Sequence, residues 1–480
     1  MGACLRVLLS ALTGLLIAIS VTYNGIFAWV AFIPGFFVLS KASIKESLAY
    51  GIIAGVVATA LLFSGVMQYG VTYYVVIIIY NALQGALTAL CYCLLLKKIK
   101  NPLLNIFIPP SIWVFFEYLK TIGPISFPAP IGTTQYQFTP LIQLASITGV
   151  YGVSLVVLWV NRVLTEVCIE TVAFIKNKKL NSKNASNVIS AGLIVSSILL
   201  VVIGYGNNLL EKNPIKESGI KVSLLQGNIP IESYQKQVQF PEVRDSISRR
   251  YFEMTESALK NEKPDILVWP EGAVYEKVLE LDAYKQKLLK LAKTSNTLFV
   301  IGAPGTSANG YNTNSAYVVS SQGEISGRYD KVRLIPFIEN YQAGKGYFPI
   351  PTDLGNFGVV ICFESTYPQT LRRATLNGAE ILFILTNDCG LIKSSLAYMH
   401  ANDSVSRAVE NRRYVVRADQ SGTSLIIDPF GRILKSNYTK EKNILSGIVN
   451  TRNDKTFYSL YGDYLPFIPL FLSCLVFLKK

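Results

Sequence analysis

Three residues in the second half of this chain, Glu271, Lys331 and Cys362, are of the types that acyl chemistry needs. A thiol becomes a nucleophile when a base takes its proton, and a carboxylate held out of water can be that base. A lysine beside the sulfur stabilises the thiolate, then the oxyanion formed on attack at a carbonyl. The backbone N–H of Phe363 is a candidate second donor to that oxyanion. Each residue also has a plainer use. A free cysteine is commonly a small core residue, Glu271 could neighbour a helix N-cap, and Lys331 could be a solvated surface lysine.

The surroundings of the three residues argue for the chemical reading. Val359, Val360 and Ile361 are β-branched and apolar, which favours a buried strand, and the run stops at Cys362. Ser365 to Pro368 then reads as a turn, with Pro368 in the first turn of a helix. Cys362 is expected at the tip of that strand-to-helix turn, close to backbone N–H groups. Glu271 follows an apolar strand at 266–269, and Lys331 follows a strand at 323–329. Ionisable residues at strand ends of one α/β domain can converge at one sheet edge. Further strands are expected at 220–225, 298–301, 315–320, 381–386, 414–418, 423–428 and 433–436. Helices are expected at 238–260, 283–294 and 397–413, so the region reads as layered α and β with mixed sheets.

The remainder of the chain is of another kind. Half of all residues are hydrophobic, only 16% are charged, and mean hydropathy is +0.35. A soluble domain carries roughly 25% charged residues. Eight apolar stretches are long enough to span a bilayer, near 5–22, 25–40, 48–68, 72–96, 102–119, 139–160, 188–206 and 463–478. The first lacks a cleavage pattern and reads as an anchor. The expected organisation is a seven-span bundle over 1–206, a catalytic domain over 207–462 and a final span over 463–480.

The net charge of +14 is better explained by the flanks of the spans than by nucleic acid. Arg6, Lys41, Lys45, Lys97, Lys98, Lys100, Lys176, Lys178, Lys179, Lys183, Lys479 and Lys480 all fall on one side if the spans alternate. The opposite short connections near Asn24 and Gly70 carry no Lys or Arg. Both termini are therefore expected in the cytoplasm and 207–462 outside it. The single histidine, His400, excludes a His-cluster metal site and reads as structural; no cofactor is expected. Cys362 and Cys389 lie in the polar region without CxxC spacing, so no disulfide framework is expected. Cys389 reads as a packing residue. Glu117 at the end of the fifth span is either functional, as intramembrane carboxylates often are, or paired with Lys120.

Trp269-Pro270-Glu271, Tyr329-Asp330-Lys331 and Ile361-Cys362-Phe363-Glu364 resemble the Glu-Lys-Cys triad of the nitrilase, or carbon–nitrogen hydrolase, superfamily. With eight spans around it, the chain is similar to the apolipoprotein N-acyltransferases. Further similar segments are Gln226-Gly227-Asn228, Tyr311-Asn312 with Asn314-Ser315-Ala316, and Leu334-Ile335-Pro336-Phe337 with Glu339. Thr386-Asn387-Asp388, Arg407-Ala408-Val409-Glu410, Arg412 and Arg417 also match, as do Glu117-Tyr118, Phe127-Pro128 and Gly149 to Gly152 in the membrane part.

The resemblance implies an eight-span bundle carrying an extracytoplasmic αββα sandwich in a bacterial inner membrane. It implies Cys362 as nucleophile, Glu271 as general base and Lys331 as oxyanion stabiliser, with Glu339 assisting the lysine and Glu364 supporting the cleft. The implied donor is a phospholipid, whose sn-1 acyl chain forms a thioester. The implied acceptor is the α-amino group of a diacylglyceryl-cysteine on an apolipoprotein. A membrane-tethered amidohydrolase with the same triad is the alternative. Tyr341, Tyr347 and Phe348, in the loop 340–349, are expected to form a lid at the bilayer interface. Cys389-Gly390-Leu391 departs from the family's aromatic loop and leaves substrate preference open.

Overall fold

The computed structural model describes residues 2–123, 128–178, 181–336, 338–391, 394–438 and 441–478. Phe127, Lys179, Phe337, Lys479 and Lys480 lie outside the described residues. The chain forms two compact units. One comprises Met1–Lys212, Ser394–Met399 and Tyr461–Lys480, the other Asn213–Lys393 and His400–Leu460.

The first unit is helical. Among the described residues, six helices are long and apolar enough to cross a membrane: Ala3–Thr22, Ile44–Leu62, Val71–Lys98, Pro102–Ile122, Val150–Asn177 and Ser182–Lys212. Two shorter apolar segments, Gly25–Leu39 and Phe467–Leu478, correspond to the remaining expected spans. The expected span at 139–160 is displaced. Gly149, with φ 67°, interrupts it, so the long helix starts only at Val150. Glycines let the second and third long helices meet closely. A Cβ on Gly51 would lie 2.4 Å from the Gly85 carbonyl oxygen, and one on Gly85 would lie 2.6 Å from the Gly51 carbonyl oxygen. Such small-residue contacts replace the hydrophobic driving force that lipid removes. Leu193, Leu200 and Val201 of the last long helix stay exposed, as lipid-facing side chains do. Glu117 is buried and accepts from the Trp113 indole at 2.9 Å and the Ile131 N–H at 2.7 Å.

Among the described residues the second unit holds two six-stranded sheets. Its strands are β1 (Ile220–Gln226), β2 (Ile266–Trp269), β3 (Leu298–Thr306), β4 (Asn312–Val319), β5 (Ile325–Asp330), β6 (Ile350–Thr352), β7 (Gly355–Ile361), β8 (Ile381–Thr386), β9 (Tyr414–Asp419), β10 (Ser424–Ile427), β11 (Ile433–Asn437) and β12 (Asn443–Val449). The orders are β12-β1-β2-β3-β4-β5 and β11-β10-β9-β8-β7-β6. In each sheet a parallel trio, β1-β2-β3 or β7-β8-β9, is flanked by antiparallel strands. The sheets face each other, with β1 against β9 and β5 against β6, and Ser424 Oγ donates to Gln226 Oε1 across them at 2.8 Å. Helices Pro241–Asn261 and Asp282–Ser295 cover the outer face of the first sheet. They bury Tyr251, Phe252, Met254, Leu288 and Ala292 against Leu267, Trp269 and Phe299.

This topology carries the residues of interest to one edge. β5 runs antiparallel to β4, and β4 antiparallel to β3, so β5 points the same way as β2. Glu271 and Lys331 therefore leave the same edge of the first sheet. Gly302 in β3 sets the height of Glu271: a Cβ there would lie 2.2 Å from the Pro270 carbonyl oxygen and 2.9 Å from Glu271 Cα. Gly302→Ala is expected to force these backbones apart and destabilise this unit by about 1–3 kcal/mol, the usual cost of overpacking. Denaturant unfolding of the solubilised protein checks this, and unchanged stability would contradict it.

Candidate functional site

Lys331 stands at the centre. It is fully buried, follows β5 directly, and anchors its own N–H to the Asn314 carbonyl at 2.9 Å. Its Nζ donates to Glu339 Oε1 at 2.7 Å and to Glu271 Oε1 at 3.3 Å. Burial works against the ammonium charge, but the two carboxylates outweigh it and hold the lysine pKa above its ordinary value. Asn314 ties the carboxylates together, donating from Nδ2 to Glu271 Oε1 at 2.8 Å and to Glu339 Oε1 at 3.2 Å. Glu339 in turn accepts the Ile335 N–H at 2.7 Å.

Cys362 ends β7 and starts a 3₁₀ turn, Cys362–Thr366. Its φ of 53° is left-handed, an uncommon conformation for a side chain larger than glycine's. Such strain gathers at functional turns. Desolvation pushes the Cys362 thiol well above its ordinary pKa, the Glu271 charge pushes it further, and the Lys331 charge pulls it back. The sulfur therefore rests as a thiol at neutral pH. Glu271, whose charge acts on that thiol, is 8% exposed and held by Asn314 and Lys331.

Glu364 holds the two halves of the site in register. It is fully buried, and its Oε1 accepts the N–H groups of Val332 and Arg333, each at 2.9 Å. Its Oε2 accepts the Tyr329 hydroxyl at 2.7 Å and the Ile361 N–H at 2.8 Å. Residues on both sides of Lys331 are thereby bound to the end of β7, across the sandwich. Burial, working against these hydrogen bonds, raises the Glu364 pKa. Phe363 is buried edge-on to Tyr367, ring centroids 5.0 Å apart, and Arg333 stacks on the Tyr367 ring.

The three loop aromatics divide. Tyr341 and Phe348 are exposed, but Tyr347 is buried and stacks on Tyr329 at 6.4 Å. Tyr347 is thus packed against β5, not an outward-facing side chain. Cys389 is buried, and its thiol is pushed up to about 12 by burial and by the charges of Asp419 and Asp388. A cysteine so placed is inert. Asn314 has a matching segment in sequence but no role deducible from it, because its two acceptors are 43 and 25 residues away. Cys362, Asp388 and His400 offer atoms within 4.8 Å of one another that could hold a metal, but both ring nitrogens of His400 already face hydrogen-bonding groups.

Two outcomes follow from this geometry. Glu364→Gln puts an amide NH₂ where donors already point, and is expected to cost about 2–4 kcal/mol of stability as buried donors lose their acceptor. Thermal unfolding measures it, and an unchanged melting temperature would contradict the clamp. Lys331→Met removes the charge that lowers the Cys362 pKa. The pH profile for alkylation of the Cys362 peptide is then expected to move to higher pH, with labelling at pH 8 falling about tenfold as the thiolate fraction falls. An unmoved profile would remove Lys331 from the thiol's environment.

Residues 221–452 match the family model described as carbon-nitrogen hydrolase, and residues 13–163 match the one described as apolipoprotein N-acyltransferase N-terminal domain. The chain is 30% identical to an apolipoprotein N-acyltransferase of Geobacter metallireducens, covering 95% of this chain and 91% of that one. It is 28% identical to an apolipoprotein N-acyltransferase of Thermotoga maritima, over 77% of this chain and 70% of that one. Among solved structures, a carbon-nitrogen hydrolase from Helicobacter pylori is similar at 20% identity and TM-score 0.38, over 47% of this chain and 87% of that one.

Proposed function

This chain belongs to the apolipoprotein N-acyltransferase family, and we propose that it works by a ping-pong transfer through Cys362. In the first half-reaction Glu271 takes the thiol proton as the Cys362 sulfur attacks the sn-1 ester carbonyl of a phospholipid. The oxyanion that forms lies against the Lys331 ammonium and the Phe363 N–H. Collapse breaks the ester C–O bond, Glu271 returns its proton to the leaving glycerol oxygen, and a lysophospholipid departs. In the second half-reaction the α-amino group of a diacylglyceryl-cysteine attacks the thioester. Glu271 takes a proton from the attacking nitrogen, the C–S bond breaks, and the sulfur regains its proton. The product is an N-acylated lipoprotein.

The observation that carries this reading is the Lys331 ammonium, buried between Glu271 and Glu339 and electrostatically coupled to a cysteine on a left-handed turn. In a dry site a fixed cation stabilises an oxyanion far more than it does in water. Glu339 keeps Lys331 charged and aimed while Glu271 changes protonation state. Exclusion of water lets the thioester persist until an amine arrives.

The membrane part supports lipid-borne substrates at both steps. In the proposed topology Gly25–Leu39 and Phe467–Leu478 join the six longer helices as spans, making eight. The lysine-rich connections then lie in the cytoplasm with both termini, and the two-sheet domain lies on the outer face of a bacterial inner membrane. Exposed Tyr341 and Phe348 suit a lid at the lipid interface, with Tyr347 as its buried hinge-side anchor.

Incubating the purified protein with phospholipid carrying a labelled sn-1 chain is expected to leave one label per chain on Cys362, as a hydroxylamine-sensitive thioester. Adding a diacylated lipopeptide is expected to move the label to its amine. Glu271→Gln should slow labelling by about 10²–10⁴-fold, the range for a lost general base. Label appearing on another residue, or passing to water and not to the lipopeptide, would overturn the reading.

A further inference from the structure

The single histidine is not a bystander in the packing. His400, 1% exposed on helix Ser395–Asn411, points one end of its ring at the nucleophile's own backbone. Its Nε2 lies 3.1 Å from the Cys362 carbonyl oxygen and 3.1 Å from Ser365 Oγ. Ser365 Oγ donates to the same carbonyl at 2.8 Å. At the other end Nδ1 lies 3.0 and 3.2 Å from the two carboxyl oxygens of Asp388. Asp388 is fixed in turn by Arg417, whose Nη2 donates to it at 2.8 Å and to Asp419 at 3.3 Å. Asp388, Arg417 and Asp419 are all fully buried.

A trans peptide is planar, so a carbonyl and the N–H that follows it point in opposite directions. Gripping the Cys362 carbonyl on one side therefore aims the Phe363 N–H on the other. We propose that His400, held by Asp388 and Arg417, is a positioning residue that aims the Phe363 N–H at the oxyanion formed on Cys362. The proposal rests on the acyl-transfer reading above. It also accounts for the left-handed φ of Cys362: the turn is pinned from beneath by His400 and Ser365, and does not relax to an extended conformation. Hydrogen bonds in a chain polarise one another, so donors to the carbonyl also make its peptide N–H a stronger donor. Burial opposes charge on Asp388, but His400 and Arg417 outweigh it and hold its pKa below the ordinary aspartate value.

The two amide isosteres of histidine separate positioning from packing. The glutamine amide nitrogen reaches the place of Nε2, and the asparagine amide nitrogen reaches that of Nδ1. Full-length wild type, His400→Gln, His400→Asn and Ser365→Ala are compared in three measurements. These are single-turnover acylation of Cys362 by labelled phospholipid, alkylation of Cys362 by iodoacetamide, and thermal unfolding. Acylation develops an oxyanion and alkylation does not. His400→Asn is expected to slow acylation by about 10²-fold, the low end for a misdirected oxyanion donor, and to change alkylation less than about threefold. His400→Gln, which loses the Asp388 contact but keeps the one to the Cys362 carbonyl, should recover acylation to within about tenfold of wild type. Ser365→Ala, which keeps the histidine, should slow acylation by about three- to tenfold with alkylation unchanged, and tests the same carbonyl if His400→Asn fails to fold. Acylation and alkylation falling together in every folded variant, or a folded His400→Asn that acylates at the wild-type rate, would overturn the proposal. Wild type that forms no thioester at all would instead remove the acyl-transfer reading beneath it.

Discussion

A lysine cation with no water around it is the constraint that the second unit is built to satisfy. Removing an ammonium from water costs several kcal/mol, and only well-placed opposite charges and hydrogen bonds offset that. Lys331 has both, from Glu271 and Glu339, with Asn314 bridging the two acids. The arrangement does more than neutralise. Two acids face one base, and the charge of Glu271 also acts on the neighbouring thiol. Burial first, and that charge second, raise the thiol's pKa, while Lys331 lowers it.

The sandwich explains why these groups can be held so closely. Glu271 and Lys331 belong to one sheet, and Cys362 to the other. Glu364 joins the two by accepting donors from Tyr329, Val332, Arg333 and Ile361 at once. The His400–Asp388–Arg417 chain reaches the Cys362 carbonyl from the loop after β8, from β9 and from a helix. The cysteine is thus fixed through its backbone, while burial and the charges of Glu271, Lys331 and Asp388 tune its sulfur.

Much of this is legible in the sequence, because the informative residues sit at abrupt changes of pattern. The β-branched run before Cys362 and the apolar run before Pro270-Glu271 each stop at a chemically distinct residue, and each is a strand end in the structure. Two strands escape a sequence reading. Ile350–Thr352 is too short to show alternation, and Asn443–Val449 is interrupted by Ser446-Gly447, where Gly447 makes room for Ile426. Partners far apart in sequence are likewise invisible: nothing near His400 announces that it reaches Cys362, 38 residues away. Tyr347 shows the limit of composition, since an aromatic in a loop reads as outward-facing until Tyr329 is seen to cover it. In the membrane unit hydropathy finds the apolar segments. It cannot tell that Gly149 breaks one of them, because glycine is itself compatible with a span.

The account rests on the acyl-Cys362 carbonyl oxygen meeting the lysine and a backbone N–H in one dry pocket. An experimental structure of the trapped thioester, at a resolution that places that oxygen, tests this most directly. The oxygen is expected at about 3 Å from both Lys331 Nζ and the Phe363 nitrogen, the distance of a hydrogen bond. An acyl oxygen turned away from both, with Lys331 still paired to its two acids, would contradict it.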